Sequence, residues 1–129
     1  MKTKIQILVL MFSAMAFAQV QPSSLKSAMK EMSTILKTIT AQASDATKNQ
    51  SSAALAAKFV QAAEQSKAFL PTSANDPASQ AKYAEMMDQV IARGNELQMA
   101  FQSNDNTKAT VLLNQLVQDK KDGHNQFRQ

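Results

Sequence analysis

From residue 19 onward the apolar residues of this chain return at steps of three and four, and the runs that carry this rhythm are broken at three places. Such spacing keeps side chains on one face of a helix, so the pattern calls for helices packed side by side. The first run follows Pro22-Ser23-Ser24, a capping stretch, and carries Leu25, Met29, Met32, Leu36 and Ile39. A second run begins after Ser44-Asp45 or as late as Asn49, and sets Leu55, Phe59, Ala62, Ala63, Ser66 and Phe69 on its inner side. Its alanines imply close approach to a neighbour. The sharpest break, Leu70 to Pro77, holds two prolines and ends in Asp76-Pro77, a cap followed by a proline at the first helical position. Segment three then carries Tyr83, Met86, Met87, Val90, Ile91, Leu97 and Phe101, with Gly94 inside it as a site of close packing. After Ser103-Asn104-Asp105-Asn106, a link short enough to enforce an antiparallel neighbour, segment four carries Val111, Leu112, Leu113, Leu116, Val117, Lys120, His124 and Phe127.

Only two glycines occur in 129 residues, and Ala, Gln, Lys, Met and Leu dominate, which is helical composition. Four amphipathic helices of about 20 residues with short links make an all-α fold, an antiparallel up-down-up-down four-helix bundle about 30 Å long. The first eighteen residues stand apart from it. Lys2 and Lys4 precede an apolar run from Ile5 to Phe17, and Ala16-Phe17-Ala18 is a small-x-small cleavage pattern. The run is too short to span a bilayer, which needs about 20 apolar residues. Residues 1–18 are therefore expected to be a cleaved signal peptide. Residues 19–129 are expected to form one exported, soluble, periplasmic domain with no stable membrane association.

The formal charge of +4 falls to +2 without Lys2 and Lys4, and the remaining lysines are scattered. Nucleic acid, which calls for a concentrated basic face, is thereby disfavoured as a partner. Cysteine is absent, so disulfides, thiolate metal sites and thioether attachment of a cofactor are excluded. One histidine excludes the usual multi-histidine zinc sites, no Glu-x-x-His pairs of the di-iron bundles occur, and no glycine-rich phosphate loop is present. An enzyme is not expected.

What remains is a pair of residues at opposite ends of the domain. Met29 lies roughly 9 Å along the first helix and His124 roughly 8 Å from the end of the last. Antiparallel packing of these two helices puts them at one level. His124 continues the stripe of Leu113, Leu116 and Val117, and Met29 falls between Leu25 and Met32. A methionine at core spacing is ordinarily packing, and a histidine near a helix C-terminus is ordinarily solvated or capping. Shared level and face nonetheless make a thioether opposite an imidazole, which is an axial ligand pair for haem iron.

These residues resemble the cytochrome b562 family, periplasmic four-helix haem proteins related to the cytochromes c-prime. In that family a Leu-x-x-x-Met-x-x-Leu-x-x-x-Leu first helix supplies a methionine ligand, and a last helix ending His-x-x-aromatic-Arg supplies a histidine. Leu25, Met29, Met32 and Leu36 stand in the first pattern, and His124, Phe127 and Arg128 in the second. The 95-residue separation of Met29 and His124 is that of the family. Covalent relatives carry Cys-x-x-Cys-His, whose cysteines would fall at positions 120 and 123; Lys120 and Gly123 stand there. The resemblance thus implies one haem b per chain, held non-covalently with Met29 and His124 as the metal ligands. It further implies that Tyr83 packs on the haem, that Met87 replaces a second aromatic, and that Lys120 and Arg128 neutralise the propionates.

A six-coordinate iron leaves no open position, so the expected function is electron transfer by a monomer that meets redox proteins transiently at the exposed haem edge. Two other readings stay open at this point. One is a haem-free periplasmic bundle acting through protein interactions, to which Gly123 and Met87 lend weight. The other is a five-coordinate haem protein that uses His124 alone and binds small gases.

Overall fold

The computed structural model describes residues 24–127. The leader and Arg128 lie outside them. Four helices follow one another: α1 (Leu25–Gln42), α2 (Asn49–Ala68), α3 (Pro77–Gln102) and α4 (Asn106–Gln126). They form the expected antiparallel four-helix bundle, and none of them is long and apolar enough to cross a membrane.

Three of the four helices, α1, α3 and α4, start at a side-chain cap. Ser24 accepts the Ser27 amide at 3.2 Å, while the Ser27 hydroxyl takes the Ser24 amide at 3.2 Å. Asp76 accepts the Ser79 amide at 2.8 Å ahead of Pro77, and Asp105 accepts the Lys108 amide at 3.1 Å. Both boundaries expected for the second segment exist. Asp45 caps a short 3-10 turn, Ala46–Lys48, and α2 itself begins at Asn49. The Thr47 hydroxyl and amide both donate to Asp45, which lowers its carboxyl pKa.

The α3–α4 link is tight because Asn104 adopts φ 59°, left-handed backbone that asparagine tolerates. The Asp105 amide then reaches the Ala100 carbonyl at 2.8 Å and the Asn104 amide reaches that of Phe101 at 3.0 Å, closing the helix end. Asn49, buried at the start of α2, donates to Asn104 at 2.8 Å and to Asn106 at 3.0 Å. Asn106 in turn donates to the Ala43 carbonyl at 2.7 Å, so both loops at this end are joined by side-chain amides.

Ala28, Ile39, Ala56, Ala63, Leu97, Phe101, Ala109 and Leu116 are essentially shut off from solvent along the bundle axis. Gly94 packs against α2 so closely that a Cβ there would lie 2.7 Å from Val60 Cγ2. Segment four departs from its expected stripe. Val111 and Val117 are half exposed, at 51% and 49%, because Leu112, Leu113 and Leu116 take the buried face and the flanking valines turn outward.

Candidate functional site

Neighbouring helices pack in chain order, α1 on α2, α2 on α3 and α3 on α4, whereas α1 and α4 approach each other only marginally. A cavity of about 480 Å³ opens along that seam, at the end of the bundle holding the α2–α3 loop. The start of α1 supplies Leu25, Met29, Met32, Ser33 and Leu36, and α3 supplies Tyr83, Met86, Met87 and Val90. Leu116, Asp119, Lys120, Gly123 and His124 come from α4, followed by Asn125 and Phe127, while Phe59 and Pro71 close the back.

Of the site residues expected from sequence, Met29, His124, Tyr83, Met87 and Lys120 all line this one cavity. Arg128 lies outside the described residues. Met29 is half-buried, whereas His124, expected to continue the inward stripe of segment four, is exposed at the mouth of the seam, where α4 stands away from α1. Met32, one turn deeper, is buried, and its sulfur lies 3.4 Å from the Ser66 oxygen, whose single proton goes to the Ala62 carbonyl at 2.9 Å. The deeper sulfur thus packs against α2, and Met29 is the more open of the two.

Tyr83 is buried, and its hydroxyl donates to the Ser66 carbonyl at 2.6 Å. Burial raises its pKa to about 12, so the phenol stays protonated and presents an apolar ring to the cavity. Phe127 meets that ring edge-on, with centroids 5.5 Å apart and planes at 83°. Lys120 Nζ crosses the mouth and donates to Ser33 Oγ at 2.7 Å, linking α4 to α1. Gly123 does not end the helix: α4 continues to Gln126, and the Phe127 amide bonds back to the Gly123 carbonyl at 2.8 Å.

Met86, Asp119 and Pro71 are among the wall residues to which the sequence assigns no site role. Met86 belongs to the inner stripe of segment three, and its spacing of three from Tyr83 is the signal for it. Asp119 lines the cavity and pairs with Arg93 of α3, the two side chains being only 15% and 24% exposed. No spacing rule relates residues on different helices, so only the fold reveals this pair. Pro71, read as a helix breaker, also becomes wall because the loop folds inward over the cavity.

The lining fits a flat apolar cofactor bearing a metal. Its volume lies within the roughly 300–1,000 Å³ usual for small-molecule sites, most of its surface is hydrocarbon or ring, and it brings together a thioether and an imidazole from separate helices. Among the described residues no group of three or more His, Cys, Asp or Glu gathers as a metal cluster of its own. The family model for cytochrome b562 matches residues 24–128, the whole bundle including both ends of the seam. No curated protein and no solved structure matches the chain. With that match running the length of a bundle that opens a cavity between its first and last helices, the chain belongs to the cytochrome b562 family of haem-binding electron carriers.

Proposed function

We propose that this chain is an exported, soluble electron carrier that holds one haem b non-covalently, with Met29 and His124 as its two protein ligands to iron. The observation that carries this reading is the lining of one apolar cavity by both residues, from the first and the last helix. When bound, the haem supplies one-electron chemistry between ferric and ferrous iron.

The chain's own residues set the character of that chemistry. With Met29 and His124 both on the iron, no position would remain for oxygen, peroxide or a gas. The Met29 thioether favours the ferrous state relative to a second imidazole and so raises the reduction potential. Tyr83, Met87 and Phe127 form an apolar wall that excludes water, and Tyr83 cannot act as an acid because its proton is committed to Ser66. Lys120, which donates to Ser33, and Arg128 would be the cations for the propionates, a carboxylate being a stronger acceptor for Lys120 than the neutral hydroxyl. Redox partners would meet the monomer transiently at the seam between α1 and α4. Residues 1–18 would direct export to the periplasm and then be removed.

The test is an absorption spectrum of the mature protein during haem titration, oxidised and then reduced with dithionite. Sharp reduced α and β bands saturating at one haem per chain are expected, with both bands lost in Met29→Ala and in His124→Ala. A spectrum unchanged by Met29→Ala would instead make His124 the sole ligand, and no shift beyond free haem would overturn the proposal.

A further inference from the structure

After residue 19 the chain has five methionines, and four of them, Met29, Met32, Met86 and Met87, line the cavity that also holds its sole histidine. The fifth, Met99, lies on the surface at 62% exposure. Thioether sulfur is neutral, soft and polarizable, and among biological metals it selects monovalent copper, with imidazole a compatible partner. Hard or borderline divalent ions find little here. Among the described residues Asp119 is the one carboxylate on the wall, and Arg93 already neutralises it.

The four sulfurs are not equivalent. Met32 is turned towards Ser66. Met86, by contrast, spans from α3 to α4: its terminal methyl would lie 3.3 Å from a Cβ built on Gly123, so its thioether reaches the helical turn that carries His124. Met29 faces the same cavity from α1.

We propose that in the haem-free chain this cavity binds one Cu(I) ion through the sulfurs of Met29 and Met86 and the imidazole of His124. The site rests on the same cavity as the haem reading and shares two of its ligands, so haem and copper exclude each other. Three neutral ligands leave a single positive charge, which costs less to hold among apolar walls than a divalent ion would.

The test is an anaerobic titration of the full, haem-free chain with Cu(I) against the chromophoric chelator bicinchoninate. Withdrawal of one equivalent from the chelator is expected, reversed by added haem. Met86→Leu, which keeps the packing volume, and His124→Gln should each weaken retention by about tenfold or more, with circular dichroism confirming that the helices persist. With methyl-labelled methionine and silver(I) as a redox-inert probe, the Met29 and Met86 resonances should shift and that of Met99 should not. Copper left wholly on the chelator, or held as tightly by Met86→Leu as by the parent, overturns the proposal. Haem uptake without copper retention removes the copper site and leaves the haem reading standing; copper retention without haem uptake does the reverse.

Discussion

At the end of the bundle where α1 turns into α2 and α3 into α4, Ile39, Leu97, Phe101, Ala109 and Leu112 are closed off from solvent and three asparagines knit the two loops together. At the other end a single loop joins α2 to α3, four methionines stand in the walls, and about 480 Å³ remains between the helices. Up-down-up-down topology makes this asymmetry available. One end has two covalent links; the other has one link and both free helix ends, so α1 and α4 can part there without breaking a loop. Shape-defined hydrocarbons fill the closed half, and flexible methionines line the open one.

The largest test of that contrast is a pair of truncations in the haem-free chain. Phe101→Ala should cost about 3–5 kcal/mol in denaturant unfolding, whereas Met29→Ala, already half-buried on an open cavity, should cost less than about 2 kcal/mol. Equal losses would mean that the two halves are packed alike. Gly94→Ala comes next. A Cβ would meet Val60 Cγ2 at 2.7 Å and Phe59 Cδ2 at 3.2 Å. Overpacking of about 1–3 kcal/mol should then outweigh the gain of about 1 kcal/mol in helix propensity, leaving a less stable protein.

A smaller effect belongs to the cavity wall. Tyr83 has its pKa raised to about 12 from the ordinary 10.0, so its contribution is complete below pH 10 and is lost as pH rises towards 12. Tyr83→Phe should be less stable by about 1 kcal/mol at neutral pH for want of the bond to Ser66. The gap between parent and variant should then narrow from pH 10 to 12; a gap that held constant would show that the phenol ionises as freely in the fold as in the unfolded chain. The smallest effect is a gain: in Gly123→Ala the new methyl meets only the mobile end of Met86 at 3.3 Å. Thermal unfolding should rise by the equivalent of about 0.5–1 kcal/mol.

Much of the fold was legible in advance because helical spacing and caps are local. Ser24, Asp76-Pro77 and the Ser103 to Asn106 link stand where helices begin and end. The limit of such reading shows on α4. Val111 and Val117 share the apolar character of Leu112 and Leu116, yet they face solvent, since four small turns of sequence do not say which apolar residues win the buried arc. Met32 shows it again: it shares a face of α1 with Met29, and only the packed helices bury it against Ser66 of α2. Met86 and Asp119 became wall residues only once α3 and α4 were set side by side.

By itself the sequence determined the four helices, their order and antiparallel sense, the placement of Met29 and His124 near one end, and the lack of any cysteine to fix a cofactor covalently. Those properties depend on residue spacing and residue type alone. Tertiary structure decided that α1 and α4 stand apart while the other neighbours close, that a cavity rather than a packed core lies between them, and which sulfurs and charges line it. Such choices depend on volumes and hydrogen bonds shared between helices, which no single stretch of chain contains.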